Sequence, residues 1–405
     1  MDIKDDARPV EAASVMELFP SRPRLLALGE PTHGEDVLLD LRDDLFWQLV
    51  EREGYRAIAI ESDCLAGLVV DDYVTGGAGA LDEVMERGFS HGFGASAANR
   101  ELVRRMRAHN DGRPAEEHLR FAGFDAPLEM SGAASPRAAL MALHTYLATR
   151  LDANLLTCTA ETLDHLLGAD ERWTDPAAMM DPSHSVGRSA EAERLRLLAE
   201  ELVALLDART PYLIAASSRE EWHRARLHGR TATGLLLYHS WMADTSPGRM
   251  ARLLGLRDSM MAANLLVLAE RGPTLVHAHN RHLQRELSTM RLGALSLEWW
   301  SAGALVSARL GGEYAFLATA LGTIRHRGVG VPPPDAVEGL LYGLPGERHV
   351  VNVHDLVAAL GDTRLVPRFS PYYGYFPLDP AHLTDSDAIL FVRDVARSSS
   401  AGETP

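Results

Sequence analysis

Four short apolar runs of this chain each end in side chains that exchange protons. The runs and the residues that follow them are 25–29 with Glu30 and His33, 55–60 with Glu61, 119–124 with Asp125, and 273–278 with His279. Carboxylates and imidazoles are the groups that general acid–base catalysis uses most. The repeated placement of such groups after apolar runs therefore indicates a candidate catalytic site.

The elements that position these residues are predicted to be the strands of a parallel sheet. Residues 36–53 show helical periodicity and are followed by Gly54, so the first unit is predicted to be strand, helix, strand. In an open parallel sheet, ligands bind in the crevice outside the carboxyl ends of the strands. We therefore expect the four strand ends to contribute to one shared site.

The chain is predicted to be an α/β protein with a mostly parallel central sheet flanked by helices and a helical insertion or cap. Leucine spacing within the insertion predicts helices over 144–156, 159–167 and 190–206, and the polar run up to Met290 is compatible with a helix. We expect this division of the chain: a flexible lead-in at 1–20, an α/β catalytic core at 21–130 and 250–395, the helical insertion at 131–249, and a disordered tail at 396–405.

Composition excludes several classes of protein. The formal net charge of −16 disfavours nucleic acid and anionic membrane as partners. The apolar stretches are short and interrupted by charges, and the N-terminus lacks the pattern of a signal peptide. With only two cysteines, the sequence predicts a cytoplasmic protein without a disulfide framework. There is no Gly-X-Ser-X-Gly elbow, Walker loop or Gly-X-Gly-X-X-Gly fingerprint to indicate a serine hydrolase of that type or a nucleotide site.

His33 is the strongest candidate for a general base. It lies just before the predicted helix that begins near Asp36, and the field at a helix N-terminus favours a neutral imidazole. Taken alone, a histidine here would be an ordinary turn residue. Glu30 and Glu61 change that interpretation, because carboxylates beside the ring could orient it or share a proton with it.

Arg42 is unusual because it falls on the apolar face of the predicted helix over 36–53. A buried guanidinium is costly unless a carboxylate pairs with it, and Glu30, Glu61 or Asp63 are the candidate partners. The alternative is an arginine at the edge of the face whose head group reaches water.

His277, His279 and His282 form a second cluster within six residues. Residues 277 and 279 would share a face in a strand, whereas 279 and 282 would share a face in a helix. Together with Glu30 and His33, the cluster could bind a metal ion such as zinc or act as a metal-free acid–base group. We expect the metal-free arrangement, without a cofactor.

These motifs, taken in order, resemble the erythromycin esterase family. They are Gly29-Glu30-Pro-Thr-His33-Gly34, Arg42, Ala59-Ile60-Glu61-Ser-Asp63, Phe121-Ala-Gly-Phe-Asp125, Arg257-Asp258-Ser-Met-Met261-Ala, His277-Ala-His279-Asn280-Arg-His282 and Ser386-Asp-Ala-Ile-Leu-Phe391. The resemblance extends from about residue 22 to 325 and is weak through the helical insertion. The last motif is a further, separate match near the end of the chain.

The resemblance implies hydrolysis of a macrolide-type lactone ester by activated water. Carried over by motif, His33 corresponds to the general base, Glu30 and Glu61 to its carboxylate partners, and His279 and His282 to a second histidine pair. Arg42 and Arg257 correspond to charge stabilisers. We place four further residues in the substrate-binding or charge-stabilising group: Asp63, Asp125, His277 and Arg281.

The chain also departs from the family pattern around its presumed substrate surface. Arg281 stands where a small residue is usual, and His277 where a bulky apolar residue or tryptophan is usual. The segment 89–95 lacks the tryptophans that are common there. We therefore expect a smaller or more polar, even anionic, substrate than erythromycin.

The sequence predicts a hydrolase in which water activated by His33 attacks an ester or lactone of a small-molecule natural product, with a polyketide-like compound as the expected partner. Three alternatives use the same residues: a biosynthetic tailoring enzyme that performs elimination or cyclisation, a metal-dependent hydrolase, and a non-catalytic protein that binds a small molecule. Retention of all four of Glu30, His33, Glu61 and His279 argues against a mere binding protein.

Overall fold

The computed structural model describes residues 7–129, 132–293 and 295–396. Its strands are β1 (Leu25–Glu30), β2 (Ala57–Asp63), β3 (Arg120–Asp125), β4 (Leu128–Glu129), β5 (Gly132–Ala133), β6 (Thr274–His279), β7 (Leu287–Leu292), β8 (Leu295–Trp300), β9 (Tyr314–Thr323), β10 (Arg348–Asn352) and β11 (Ala388–Asp394).

The α-helices connect and cover these strands. They are α1 (Ala12–Met16), α2 (Asp36–Glu53), α3 (Gly67–Val74), α4 (Leu81–Arg87), α5 (Ala97–Asn110), α6 (Arg137–Ala148), α7 (Ala160–Leu167), α8 (Ala190–Ala208), α9 (Thr210–Ala216), α10 (Arg219–Met242), α11 (Arg249–Arg271), α12 (Asn280–Leu283), α13 (Ala302–Leu310), α14 (Val337–Tyr342) and α15 (Val353–Leu360).

The central sheet has the strand order β10-β11-β9-β1-β6-β2-β3. Every neighbouring pair is parallel except β10 and β11. β1, β6 and β9 are buried along their whole length, as strands covered by helices on both faces must be. The predicted α/β class with a mostly parallel sheet is confirmed.

Alternate residues of β1 supply the cores on the two faces of this sheet. Leu26 and Leu28 pack with Phe46 of α2 on one face. Leu25 and Ala27 pack with Leu265 of α11 on the other. This alternation follows from the twofold repeat of a strand. Helix α2 has the bounds predicted for it and ends at Gly54, whose left-handed φ of 69° closes the last turn.

Helices α6 to α10 surround a separate apolar core of their own. Leu143 of α6, Leu163 of α7 and Leu198 of α8 are fully buried in it. The first of these helices spans Arg137–Ala148 and ends eight residues earlier than the predicted 144–156. The segment thus forms the helical layer beside the sheet that the leucine spacing indicates.

Two predictions about local structure are wrong. Residues 7–20 are not a loose lead-in, because Arg8 bridges to Val350 and both Ala12 and Val15 are fully buried against the core. The polar run after β6 forms only the single turn α12 and then the β7–β8 hairpin, since pairing between those strands overrides its helical tendency. The proposed disordered tail lies, from residue 397 onward, outside the described residues, as do residues 1–6.

Within the described ranges, no helix combines the length and apolar character needed to cross a membrane.

Candidate active site

A cavity of about 300 Å³ opens at the carboxyl edge of the sheet. β1 and its following loop contribute Glu30 and His33, β2 contributes Glu61, α2 contributes Arg42 and β6 contributes His277. β1, β6 and β2 are adjacent and parallel, so their carboxyl ends meet at one place. The structure therefore brings these five predicted residues together.

Glu30 and His33 form the closest pair in this cavity. Nδ1 of His33 lies 2.6 Å from Oε1 of Glu30. Gly34 follows with a φ of 79°, a left-handed conformation that turns the chain from β1 toward α2 without the strain a side chain would add. Glu30 is buried, whereas 41% of the His33 side chain is exposed. The pair therefore presents its imidazole to the cavity and keeps its carboxylate beneath.

The charges around His33 favour its protonated form. Burial lowers the pKa of His33, but Glu61 and the hydrogen bond to Glu30 raise it more, to about 9. The expectation of a neutral imidazole at the start of α2 is therefore wrong, because two carboxylates outweigh the helix field. Burial alone would raise the pKa of Glu30, but His277 and His33 hold it well below its usual range.

His277 lies beneath the Glu30–His33 pair. Its Nδ1 donates to the carbonyl of Leu28 over 3.2 Å, and its Nε2 lies 3.4 Å from Oε2 of Glu30. The parallel register of β1 and β6 places His277 directly opposite Leu28. The second oxygen of Glu30 therefore faces Nε2 of His277, although neither atom has a well-aligned hydrogen bond among the described residues.

Glu61 joins β2 to the end of β6. Its Oε2 accepts the backbone N–H of His279 over 2.8 Å, while Oε1 lies 3.3 Å from His282 and 3.4 Å from Arg257. Burial would raise the pKa of Glu61, but His282, His33 and Arg257 lower it to about 2. Glu61 is therefore an ionised carboxylate that influences His33 through its charge.

His282 lies behind Glu61 and is not part of the cavity lining. Its Nδ1 is 2.8 Å from Oδ1 of Asp258, which also accepts the N–H of Ala302 over 2.9 Å. Oδ2 of Asp258 accepts the indole N–H of Trp299 over 2.5 Å. Burial lowers the pKa of His282, but Asp258 and Glu61 raise it more. Asp258 belongs to the motif that begins at Arg257, but nothing in the sequence indicated its role in the site.

His279 is the neutral histidine of the site. Burial, and then the charge of His33, lower its pKa to about 3. Its ring meets that of His33 edge-on at 5.3 Å between centroids and that of Phe376 at 4.9 Å. Nδ1 accepts the backbone N–H of Arg281 over 3.2 Å, so Nε2 carries the hydrogen. Within the described part of the chain, this buried Nε2 has no hydrogen-bond partner.

Asp125 and Arg257 form a buried ion pair beside the cavity. Nη2 of Arg257 is 2.6 Å from Oδ2 of Asp125, and Nε is 3.1 Å from each carboxylate oxygen. Burial would raise the pKa of Asp125, but Arg257 and His91 hold it well below its usual range. Because Asp125 and Glu61 already engage Arg257, this guanidinium neutralises the carboxylates of the site.

His91 is a cavity residue that sequence reasoning missed. Its Nε2 lies 3.1 Å from Asp125 and its Nδ1 lies 2.8 Å from Glu129. Burial lowers the pKa of His91, whereas its bond to Asp125 raises it, and the net direction is upward. Its φ of 56° is left-handed, which is uncommon for a residue other than glycine. The sequence feature that could have identified His91 is its position next to Gly92 in the segment 89–95, which lacks the tryptophans common in the family.

Arg42 is fully buried and lines the cavity, so the alternative of an arginine whose head group reaches water is wrong. Its partner is the neighbouring Asp43, with Nε and Nη2 at 2.8 and 2.7 Å from Oδ1, and not Glu30, Glu61 or Asp63. Nη1 and Nη2 have no well-aligned hydrogen-bond acceptor among the described residues. These donors are therefore available to a ligand in the cavity.

Two predicted residues lie away from the cavity. Asp63 accepts the backbone N–H groups of Leu65 and Ala66, at 2.7 and 3.1 Å, and so stabilises the turn after β2. Arg281 stacks on Phe376 at 4.2 Å and donates to the carbonyl of Thr289. Arg281 therefore lies outside this cavity, beside His279 and the β7–β8 hairpin, and the expectation that it adds polarity near the second histidine pair stays a prediction.

Within the described residues, one group of side chains is spaced closely enough to hold a metal ion, and it lies outside the cavity that contains His33. Ligand atoms of Glu286, His382 and Asp385 lie within 4.8 Å of one another, and none of these residues lines the cavity. In the cavity, Glu30 and His33 instead make a direct 2.6 Å contact.

The fold and this cavity define an α/β protein with a histidine–carboxylate site at the carboxyl edge of a parallel sheet. The family model for erythromycin esterase matches residues 50–395, and the chain belongs to that family. The matched range contains Glu61, Asp125, Arg257, His279 and His282, whereas Glu30, His33 and Arg42 precede it. Membership in this family suggests a hydrolase that acts on macrolide-like substrates.

Solved structures share the fold at low sequence identity. A Bacillus cereus protein matches with a TM-score of 0.71 at 16% identity, covering 97% of this chain and 96% of its own. A succinoglycan biosynthesis protein matches with a TM-score of 0.68 at 15% identity, covering 97% and 95%. A variant of the erythromycin esterase EreC in its open conformation matches with a TM-score of 0.66 at 17% identity, covering 94% and 93%. The comparison with curated proteins gave no match.

Proposed function

We propose that this protein hydrolyses an ester or lactone of a small-molecule natural product, with His33 as the general base. The observation that supports this most directly is the 2.6 Å contact between Nδ1 of His33 and Glu30 at the cavity. This contact orients the ring and leaves Nε2 for a water molecule. A carboxylate that orients a histidine in this way also stabilises the imidazolium formed when the histidine takes a proton.

In the proposed reaction, Nε2 of deprotonated His33 removes a proton from water as the water oxygen bonds to the ester carbonyl carbon. The tetrahedral intermediate then loses the alkoxide, which receives the proton back from His33, and the products are a carboxylic acid and an alcohol. Because the pKa of His33 is raised to about 9, the active base is a minor form at pH 7 and becomes more abundant as pH increases.

Two groups could stabilise the oxyanion of that intermediate. Arg42 lines the cavity, and its Nη1 has no acceptor among the described residues. His279, whose neutral ring contacts that of His33, has an unpartnered Nε2–H among the described residues. A neutral imidazole is a suitable electrophile, because it donates a hydrogen bond without competing for the proton held by the base. Donors fixed in advance at a developing negative charge are the largest contribution in many acyl transfers.

The cavity supports a substrate that is smaller or more polar than erythromycin. Its volume of about 300 Å³ is at the lower limit of the range for small-molecule sites. The cation Arg42 lines it, and so does His91, whose pKa, despite burial, is raised by its hydrogen bond to Asp125. A substrate with a compact acyl group and an anionic or hydrogen-bonding substituent would match these groups.

The reaction type is tested by offering small esters and lactones, with erythromycin as the large probe, in water enriched in ¹⁸O. Hydrolysis should place one ¹⁸O atom in the carboxylate of the product, measured by mass spectrometry. Elimination or cyclisation consumes no water, so a product without the label would contradict the proposal. Efficient cleavage of erythromycin would contradict the proposed substrate size while leaving hydrolysis intact.

A further inference from the structure

A second cavity, of about 310 Å³, lies beside the edge strand β3. The strand contributes Phe121 and Gly123, α3 contributes Leu68, and the long helices α10 and α11 contribute Leu227 and Leu268. It shares no lining residue with the cavity that contains His33. Its walls are thus largely apolar and separate from the candidate active site.

Carboxylates pair with three of the arginines that line this second cavity. Arg120 contacts Asp71 and Glu220 at 2.5 and 2.6 Å, and Arg271 contacts Glu220 at 2.6 Å. Arg224 contacts Asp71 at 3.5 Å. These three cations are neutralised within the protein.

Arg230 of α10 differs from them. Its Nε and Nη2 face only the side-chain oxygen of Asn264, at 3.4 and 3.2 Å. Its Nη1 is buried without a hydrogen-bond partner, and no carboxylate lies within salt-bridge distance in the described ranges. Burial, and then the nearby Arg226, lower its pKa to about 10, so it remains a cation at neutral pH. A buried charge without a counterion is costly to the fold.

Two carboxylates, Glu270 and Asp207, raise the pKa of Arg230 through their charge, but neither forms a salt bridge with it among the described residues. Burial lowers the pKa of His223 to about 4, which leaves this ring neutral. Burial raises the pKa of the Cys64 thiol to about 12, which keeps it protonated. A cation that lines a cavity without a carboxylate in contact is best explained by an external anion.

We propose that this cavity binds a small amphipathic carboxylic acid, with its carboxylate on Arg230 and its chain against Leu68, Leu227 and Leu268. The guanidinium of Arg230 has only the side-chain oxygen of Asn264 as an acceptor, and its planar fork matches a carboxylate. The apolar walls favour a ligand with a hydrocarbon chain over a bare inorganic anion. This site is independent of the proposed hydrolysis.

The ligand chemistry is tested on the unaltered protein by calorimetry with octanoate, 1-octanol and inorganic phosphate. Octanoate should bind at least about tenfold more tightly than either of the other two, because only it combines the charge with the chain. Equal binding of octanol would overturn the role of Arg230. Tighter binding of phosphate would overturn the choice of ligand, and so would an absence of octanoate binding at millimolar concentration.

Two variants and one matched control locate the site. Arg230→Gln should weaken octanoate binding by about tenfold or more, whereas Arg226→Gln, one turn earlier on the same helix and paired with Glu270, should leave it unchanged. Arg230 and Asn264 also border a neighbouring groove, so Leu227→Trp, which fills only the second cavity, should block binding. Binding that survives both Arg230→Gln and Leu227→Trp would overturn the proposal.

Discussion

The side chain of Glu61 accepts the backbone N–H of His279 over 2.8 Å. This bond joins the ends of two neighbouring parallel strands and fixes one carboxylate oxygen of Glu61 at the edge of the cavity. The other oxygen faces Arg257 and His282, at 3.4 and 3.3 Å. Glu61 therefore holds the sheet edge together and sets the electrostatic field of the site, so substitutions at Glu61 would change both at once.

We expect His33→Ala to lower turnover of the substrate by about 10²–10⁴-fold or more, because it removes the general base. Folding should be unaffected, since the ring lies at the cavity mouth with 41% of its side chain exposed. Steady-state kinetics and circular dichroism measure the two effects. His184→Ala is the matched control: it removes a histidine at 2.9 Å from Asp175 in the helical layer and should keep full activity. Near-normal turnover by His33→Ala would exclude this residue as the base.

The activity should increase with pH as His33 loses its proton. Its pKa is raised to about 9, and the deprotonated ring is the active base, so kcat/KM should rise toward a plateau above pH 9. Glu30→Gln removes a carboxylate that raises this pKa and should move the rise to lower pH, with a lower plateau. Profiles of kcat/KM against pH for both proteins test this, and a rise that moves to higher pH in Glu30→Gln would contradict it.

The ion pair between His33 and Glu30 should also affect the stability of the fold. Activity should rise with pH, whereas the free energy of unfolding contributed by this pair should fall. A histidine whose pKa is raised in the folded state stabilises the fold below its unfolded pKa, and that contribution is lost as pH rises through about 9. The contribution should be small, because water screens a ring that is so exposed.

Arg42→Met should lower kcat/KM by about 10²-fold, the usual cost of removing one oxyanion donor. The free energy of unfolding should also fall, because methionine fills a similar volume but leaves the buried carboxylate of Asp43 without its partner. Kinetics and urea denaturation give the two numbers. Arg252→Met, which removes an arginine stacked at 4.4 Å on Trp241, is the matched control for the loss of charge. An increase in KM with unchanged kcat would assign Arg42 to substrate binding alone.

Asp258→Ala should destabilise the protein by about 3–5 kcal/mol, because it leaves His282 and the donors of Trp299 and Ala302 buried without their acceptor. Urea denaturation measures the free energy of unfolding. Asp164→Ala, which removes an exposed carboxylate paired with Arg137, should leave the midpoint nearly unchanged. Equal stability of the two variants would show that the His282–Asp258 pair does not support the site.

Turnover should survive treatment with a strong chelator, because in the proposed reaction His33 activates water directly. The assay compares protein before and after dialysis against the chelator, with and without added zinc or manganese. Loss of activity that stoichiometric metal restores would overturn this prediction. It would then make His33, His277 and His279 the ligands to examine first.

Local sequence patterns were sufficient to predict the scaffold of the site. The apolar runs that became β1, β2, β3 and β6, and the periodicity of α2, depend on neighbours a few residues apart. Since parallel strands present their carboxyl ends at one edge, the convergence of Glu30, Glu61 and His279 followed from the strand ends alone. The helical face of Arg42 left two alternatives open, a buried arginine and one whose head group reaches water, and only the packing of the folded chain decided for burial.

The tertiary structure determined which of these residues contact one another and which protonation state each of them favours. The strand order β1-β6-β2 places His277 next to Glu30 and His282 next to Glu61. The turn of α12 places Arg281 outside the cavity, where it stacks on Phe376. The raised pKa of His33 and the lowered pKa of His279 depend on the same packing. Burial and the sum of nearby charges determine a pKa, and both arise from residues far apart in the chain.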